Sequence, residues 1–251
     1  MKLTDLAWPA VAALSKDTPV VFPIAALEQH GHHLPVFTDS LLCGEIVRRA
    51  DERLGDRVLL APMTWLGNSD HHLEFAGTLS APPRTYLDML GGLIDNFVRH
   101  GFKRLVFVNG HGGNDVPGHQ VIFEARQRYR SRNDLLLLFA TYWRLGGKPR
   151  DAEPSIVQTE MGHACEWETS MMLRLRPDLV GDLSQVQAVS PDHVFKPAMR
   201  GWITKERSVA GHIGDPRRAT AEKGEAIFRT FADDVVRLLE KAIAWDGQSW
   251  N

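Results

Sequence analysis

The chain has 251 residues, of which 43% are hydrophobic and 24% are charged, and its formal net charge is −2 at pH 7. This length supports one large core or two small ones, and a single domain over residues 1–251 is the simpler interpretation. The near-neutral charge excludes the basic surface of a typical nucleic-acid binder, and a neutral small molecule or a peptide stays open as the partner.

The N-terminal segment is a poor signal peptide, because Asp5, Pro9 and Lys16 interrupt its apolar stretch. No uninterrupted apolar run approaches the roughly 20 residues that span a bilayer, so we expect no membrane partner. Two cysteines, Cys43 and Cys165, are too few for a disulfide scaffold and indicate a reducing compartment. We therefore predict a cytoplasmic protein.

Short apolar runs alternate with helical patterns along the chain. Four runs rich in Val, Leu and Ile predict strands at residues 19–26, 57–63, 104–109 and 135–141. They are continuously apolar, as expected of strands that are buried on both faces. Helical spacing of apolar residues predicts helices after Pro83, ending at Gly101, and from Ala219 toward Trp245. This order predicts an α/β fold with a mostly parallel sheet covered on both faces.

Polar clusters follow all four predicted strands. If the strands are parallel, these clusters meet at the carboxyl rim of the sheet, where such sheets bind ligands. The clusters are Glu28 to His33 with Asp39, then Asn68 to His72, then Asn109 to Asn114 around His111, and finally Tyr142 and Trp143.

Histidine and carboxylate side chains in these clusters predict a metal site. Glu28 and His30, two positions apart, face the same side of an extended segment. A carboxylate can bridge two ions about 3.5–4 Å apart in a hydrolytic site. Asp39 is a candidate for this position, and capping of a helix is its alternative role. His111 lies between glycines, in a loop that lacks the spacing of nucleotide-binding motifs.

A last cluster runs from Gly162 to Ser170. If it forms the first turns of a helix, His163 and Glu166 share a face and Glu168 points away. This geometry favours Glu166 as a metal ligand, and Glu168 then contacts the substrate or supports the site. A non-helical start would reverse that choice. His193 and His212 are left unassigned.

Three of these segments resemble the creatininase family. They are Glu28-Gln29-His30-Gly31-His32-His33-Leu34-Pro35 with Asp39, then Asn109-Gly110-His111-Gly112-Gly113-Asn114, then His163-Ala164-Cys165-Glu166-Trp167-Glu168-Thr169-Ser170. The residues 75–80 and 214–224 resemble further family segments. The resemblance implies a three-layer α/β/α sandwich, two divalent metal ions per chain and a homo-oligomer, usually a hexamer.

The resemblance also implies a ligand set. Glu28 and His111 hold one ion, His30 holds the other and Asp39 bridges them. Creatininase has a glutamate ligand two residues after the loop histidine, where this chain has Gly113. This departure argues against creatinine as the substrate, and Glu166 is the candidate for the missing carboxylate. Zn²⁺ is favoured, with Mn²⁺ and Fe²⁺ as alternatives.

The implied reaction is hydrolysis of a C–N amide or related carbonyl bond in a small polar, cyclic substrate. A hydroxide that bridges the two ions attacks the carbonyl carbon. His163 is the expected proton donor to the leaving group, with Glu168 as the second catalytic residue. His33, His72, Trp143 and Trp167 are expected to line the substrate pocket, and ordinary packing is their alternative role.

Two alternative functions stay open. The histidine-rich segment from Asn68 to His72 could suit a polyol, so hydrolysis of a cyclic polyol ketone derived from inositol is the first. The second is a non-catalytic metal-binding relative. The expected ligand set argues against this second alternative.

Overall fold

A computed structural model describes residues 1–190, 192, 195 and 198–249. Four parallel strands form one sheet in the order β2-β1-β3-β4. The strands are β1 (Val20–Ile24), β2 (Leu59–Leu60), β3 (Arg104–Asn109) and β4 (Leu136–Thr141). The predicted parallel sheet is therefore confirmed.

Eight α-helices surround this sheet in the described part of the chain. They are α1 (Trp8–Ala13), α2 (Thr38–Leu54), α3 (Pro83–Arg99), α4 (Asp115–Arg128), α5 (Pro149–Ala152), α6 (Glu166–Leu175), α7 (Thr204–Arg207) and α8 (Ala221–Ala244). None of the helices among these residues is long and apolar enough to cross a membrane.

Alternate strand residues face two separate cores, which makes the fold a three-layer sandwich. On β3, Val106 and Val108 pack into the core formed with α2, α6 and α8. Leu105 and Phe107 point the other way, into the core formed with α3 and α4. Both faces of the strand are buried, and this explains why the strand sequences are continuously apolar.

β2 is shorter than its apolar run predicts. Only Leu59 and Leu60 pair with β1, and the preceding residues 55–57 form a 3₁₀ turn. β2 lies at the edge of the sheet, and the Leu60 N–H donates to the carbonyl of Met1. The N-terminal segment thus covers an edge that would otherwise be open.

Candidate metal centre

The strand ends bring the predicted clusters to one rim. Ile24 and Asn109 pair at the carboxyl ends of β1 and β3. Glu28 and His30 follow the first of these ends within six residues, and His111 follows the second within two. The residues that follow these two strand ends therefore meet above the sheet, as the parallel topology requires.

Asp39 stands in the first turn of α2 between two histidines. Its Oδ1 lies 3.0 Å from His30 Nε2, and its Oδ2 lies 2.9 Å from His111 Nδ1. Glu28 Oε1 lies 3.3 Å from the same His111 nitrogen. The Asp39 side chain is only 5% exposed, although it stands at the start of a helix. Its two oxygens face two different imidazoles.

Hydrogen bonds to main-chain carbonyls orient both imidazoles. His30 Nδ1 lies 3.1 Å from the carbonyl of Glu28, and His111 Nε2 lies 3.0 Å from that of Asn68. A carbonyl accepts only, so these ring nitrogens carry the hydrogens. The remaining nitrogens, His30 Nε2 and His111 Nδ1, face Asp39 and would supply lone pairs to a bound ion. This is the arrangement that metal-binding histidines adopt in proteins.

Several buried polar atoms in this cluster satisfy no hydrogen bond. They are Glu28 Oε2, His30 Nε2 and Asp39 Oδ2. Buried polar atoms in proteins almost always have partners, and an exception indicates a missing ion or water. Glu28, His30 and Asp39 present donor atoms within 4.8 Å of one another, and His30, His163 and Glu168 do the same. The donor set of carboxylates and imidazoles fits Zn²⁺ or Mn²⁺.

The two glutamates of α6 differ in what they face. Glu168 Oε1 lies 3.7 Å from His30 Nε2, and its Oε2 accepts a hydrogen bond from the Cys165 N–H at 3.4 Å. The carboxylate of Glu166 instead binds Lys223 Nζ at 2.7 Å and accepts from the N–H groups of Val157 and Gln158. This geometry does not support Glu166 as a metal ligand and favours Glu168.

The start of α6 explains this reversal. The helix begins at Glu166, and Ala164 has a left-handed backbone with φ of 47°. His163 therefore lies outside the helix, where it forms a β-bridge with Ile213. The face that His163 and Glu166 would share in a continuous helix does not exist, so the helical interpretation of this segment is wrong at its first residues.

His163 still lies at the cluster. Its Nδ1 is 3.6 Å from Glu28 Oε1, and its Nε2 is 2.8 Å from the carbonyl of Gln29. Burial and the neighbouring His30 hold the pKa of His163 well below its ordinary value. The side chain keeps 13% of its surface exposed, so part of the imidazole is accessible from outside the cluster.

The charges of the cluster support one another. Burial by itself would raise the pKa of Glu28, but His111 and His72 hold that pKa well below its usual range. Burial disfavours a charged His111, yet Glu28 and Asp39 raise its pKa well above the ordinary value. The carboxylates therefore stay ionised, as metal ligands must.

His72 contacts Glu28 at the cluster. Its Nε2 lies 3.4 Å from Glu28 Oε1, and its Nδ1 accepts a hydrogen bond from the Gln29 amide at 2.7 Å. Burial lowers the pKa of His72 to about 3. The ring is therefore neutral and orients the carboxylate of Glu28.

His33 points away from the cluster. Its Nε2 lies 3.0 Å from the carbonyl of Ala164 and 3.1 Å from Thr169 Oγ1, so its hydrogen bonds link the β1 rim to α6. This geometry does not support a substrate contact by His33. The previously unassigned His212 is also buried and lies beside the His33 ring, and His193 lies outside the described residues.

Trp143 and Trp167 line a cavity of about 800 Å³. Its lining also includes the cations Arg144, Lys148 and Arg150. Among the described residues, none of the side chains of the candidate metal centre lines this cavity. The two tryptophans therefore share one pocket, but the structure does not join that pocket to the metal centre.

Two side chains of the site were not predicted from the sequence. His71 is half-buried and can form a metal-binding group with Glu28 and His111. The Gln29 amide lies 2.7 Å from His72 Nδ1 and 3.0 Å from His163 Nε2. The histidine-rich run after the second strand was a usable signal for His71. Gln29 had none, because an amide between two candidate ligands has no distinctive spacing.

Gly113 fits a space that admits no side chain. A Cβ atom at this position would lie 2.1 Å from the carbonyl oxygen of Asn68 and 2.4 Å from His111 Nε2. The loop around His111 is thus built on glycine at this position. A glutamate ligand at residue 113 is incompatible with this backbone.

A parallel three-layer sandwich with a carboxylate and imidazole cluster at its carboxyl rim defines a class of metal-binding α/β proteins. The family model described as creatinine amidohydrolase matches residues 4–239. The chain belongs to the creatininase family, and the resemblance predicted from its motifs is confirmed.

Characterised relatives include hydrolases of different substrates. A mycofactocin precursor peptide peptidase of Mycobacterium tuberculosis is 32% identical over 232 residues, covering 89% of this chain and 85% of the relative. The creatinine amidohydrolase of Pseudomonas putida is 31% identical over 238 residues, covering 89% and 90%. A 3-dehydro-scyllo-inosose hydrolase of Thermotoga maritima is 28% identical over 163 residues, covering 64% and 51%.

Solved creatininase structures confirm the fold. A zinc-containing variant of creatininase superposes with a TM-score of 0.82 at 29% identity, covering 97% of this chain and 98% of that one. Creatininase with manganese gives the same TM-score at 28% identity, covering 97% and 99%. The structural neighbours are thus zinc and manganese proteins, and this chain has a cluster that can hold such ions.

Proposed function

We propose that this chain is a hydrolase that uses two divalent metal ions to cleave a C–N amide or related carbonyl bond in a small polar, cyclic substrate. The single observation that carries the proposal is Asp39, whose two carboxylate oxygens face His30 and His111 at 3.0 Å and 2.9 Å. A carboxylate placed between two lone-pair donors is the geometry of a bridging ligand.

Five residues would hold the ions. Glu28 and His111 would bind the first, His30 and Glu168 the second, and Asp39 both. Bound ions would supply a water of lowered pKa and polarise the carbonyl of the substrate. Zn²⁺ is favoured, and Mn²⁺ and Fe²⁺ suit the same donors.

The remaining residues orient the ligands and move protons. His72 fixes the carboxylate of Glu28, the Gln29 side-chain amide fixes His72, and the Gln29 carbonyl accepts a hydrogen bond from His163. The neutral imidazole of His163 takes a proton from the attacking water and gives it to the departing nitrogen or oxygen. The lowered pKa favours the neutral ring and makes the protonated ring a stronger acid toward the leaving group.

The relatives support carbonyl hydrolysis, and Gly113 argues against creatinine as the substrate. The relatives act on creatinine, on a peptide and on an inosose, so carbonyl chemistry is their shared feature. A second candidate is a cyclic polyol ketone, because His71 adds a half-buried imidazole beside Glu28 and His111. A polyol offers many hydroxyl groups to such a polar wall.

A role without a bound ion is disfavoured by the buried atoms of the cluster. Three polar atoms without hydrogen-bond partners cost free energy unless a ligand satisfies them. These atoms support ion binding, and the substrate panel below distinguishes a hydrolase from a non-catalytic metal-binding relative.

The whole chain is proposed to act as one domain in a homo-oligomer, as the family resemblance implies. Val116 and Phe123 are seven positions apart on α4 and are 70% and 63% exposed. Apolar side chains on one helix face are typical of an assembly surface. Light scattering on the purified protein will give the mass, and a monomer would contradict this part of the proposal.

The first experiment is elemental analysis of protein purified without chelator. We expect two ions per chain in the native protein and at most one in Asp39→Asn. Asp51→Asn is the matched control, because Asp51 lies in the same helix and pairs with the N-terminus at 3.5 Å. One ion or none in the native protein, not restored by Zn²⁺ or Mn²⁺, would exclude the two-ion site.

The second experiment is a substrate panel with the metal-loaded protein. It contains creatinine, other cyclic amides, lactones, a short peptide and a cyclic polyol ketone. Turnover of cyclic amides supports the first candidate, and turnover of the ketone alone supports the second. If only the peptide is cleaved, the small cyclic substrate is excluded and the hydrolase class is kept.

A further inference from the structure

The position of His163 depends on a bridge between two irregular segments. The N–H of His163 donates to the carbonyl of Ile213 at 3.0 Å, and the N–H of Ile213 donates to the carbonyl of His163 at 2.7 Å. One segment runs from residue 157 into His163, and the other runs from Ile213 to residue 218. Neither segment belongs to the sheet. Contacts other than strand pairing must therefore keep His163 opposite Ile213.

Glu166 holds the first segment. Its Oε2 accepts a hydrogen bond from the N–H of Gln158 at 2.7 Å, and the N–H of Val157 lies 3.1 Å from both carboxylate oxygens. The neighbouring Trp167 donates from Nε1 to the carbonyl of Gln158 at 3.2 Å. The first turn of α6 therefore fixes where the segment leading to His163 begins.

Lys223 joins this segment to the second one. Its Nζ lies 2.7 Å from Glu166 Oε1 and 2.7 Å from the carbonyl of Arg218. Arg218 lies five residues after Ile213, the partner of His163 in the bridge. The Lys223 ammonium group thus contacts Glu166, which holds the segment before His163, and Arg218, which lies in the segment after Ile213.

The burial of this ion pair indicates a geometric role. The side chains of Glu166 and Lys223 are 1% and 9% exposed. Buried ion pairs add little net stability, since the loss of hydration offsets their attraction, and apolar pairs often replace them without loss. An apolar pair could not bind two main-chain N–H groups and one carbonyl in fixed directions.

We propose that Glu166 and Lys223 are positioning residues that hold His163 in place at the metal centre, and that Glu166 is not a metal ligand. This inference rests on the proposed function, because it takes His163 as the group that moves the proton. It assigns a task to two charged residues that the hydrolytic site itself leaves unused.

The test compares Glu166→Gln and Lys223→Met with the native metal-loaded enzyme. We expect two ions per chain in both variants, kcat lower by roughly 10- to 100-fold because a small displacement of a catalytic group has effects of this size, and KM nearly unchanged. Glu225→Gln is the matched control. Glu225 lies two residues after Lys223 and pairs with Arg49 and Arg174 at the surface, so this variant should keep native kcat.

A cycle with His163→Ala separates positioning from general destabilisation. If Glu166 acts through His163, adding Glu166→Gln to His163→Ala should lower the residual rate no further. If Glu166→Gln lowered the residual rate of His163→Ala by the same factor as it lowers the native rate, the proposal would be overturned. Loss of an ion in Glu166→Gln, or a native kcat in that variant, would also overturn it.

Two further measurements keep the test decisive. If a single variant fails to fold, the double variant Glu166→Gln/Lys223→Met removes both charges together and should fold, with the same loss of kcat.

If the native protein hydrolyses nothing, the proposed function fails, and amide exchange then tests the contacts alone. Faster amide exchange at Val157 and Gln158 in the variants than in the native protein, with a shifted His163 ring ¹⁵N signal, would support the positioning role. Values equal to those of the native protein would overturn it.

Discussion

Glu166 and Glu168 stand two positions apart in the first turn of α6, and their carboxylates bind different partners. Glu168 lies 3.7 Å from His30 Nε2, and Glu166 pairs with Lys223 at 2.7 Å. Successive helix residues project about 100° apart, so two positions separate the side chains by more than half a turn. Only one of the two can reach the metal centre.

This relationship predicts opposite metal contents for two isosteric variants. Glu168→Gln should reduce the content from two ions per chain to about one, because the ion near His30 loses its carboxylate. Glu166→Gln should keep two ions and is the matched control. Elemental analysis after identical purification measures both. Equal loss in the two variants would contradict the assignment.

The glycine loop predicts a steric effect at Gly113. Gly113→Ala brings a Cβ within 2.4 Å of His111 Nε2, so the imidazole must shift. We expect a loss of about 1–3 kcal/mol in the free energy of unfolding, typical of overpacking, and loss of the ion that we propose His111 to bind.

Gly112→Ala is the control for this prediction, because no heavy atom lies within 4 Å of a Cβ there. Denaturant unfolding and elemental analysis should show it close to native. A Gly113→Ala protein with native stability and two ions would mean that the loop can move away.

The buried His33 predicts a pH effect. Burial lowers its pKa to about 4, so between pH 4 and 6.5 the ring is neutral in the folded chain and protonated in the unfolded chain. The unfolded state then binds more protons. This contribution to stability is therefore complete above pH 6.5 and is lost as the pH falls toward 4.

An NMR titration of the His33 ring should give a midpoint near 4. The free energy of unfolding of His33→Gln should lack the corresponding slope between pH 4 and 6.5, and His119→Gln, at an exposed position, should retain it. A midpoint near 6.5 would show that the ring reaches water and is not locked to Ala164 and Thr169.

Metal removal should destabilise the protein. Stripping by a chelator leaves the carboxylates of Glu28 and Asp39 buried beside one another without a cation. We expect the melting temperature to fall, and to recover when Zn²⁺ is added. One site filled at a hundred times its dissociation constant adds about 2.7 kcal/mol to the free energy of unfolding. The melting temperature of Asp39→Asn should change less on addition of chelator or Zn²⁺. A melting curve indifferent to both chelator and Zn²⁺ would exclude a resident ion.

The sequence by itself determined the sheet and the main ligand candidates. Short continuous apolar runs rich in Val, Leu and Ile favour strands covered on both faces, and parallel strands bring the residues after their carboxyl ends together. Glu28, His30 and His111 follow those ends within two to six residues. So few residues keep these side chains close to the rim of the sheet. Asp39 follows at the start of the next helix.

Only the tertiary structure decided between Glu166 and Glu168 and redirected His33. The start of α6 depends on Ile213 and Lys223, which lie 50 and 57 residues beyond His163 and Glu166. The partners of His33 lie more than 130 residues away. Side-chain direction at these positions is set by contacts between distant segments, and local spacing carries no information about them.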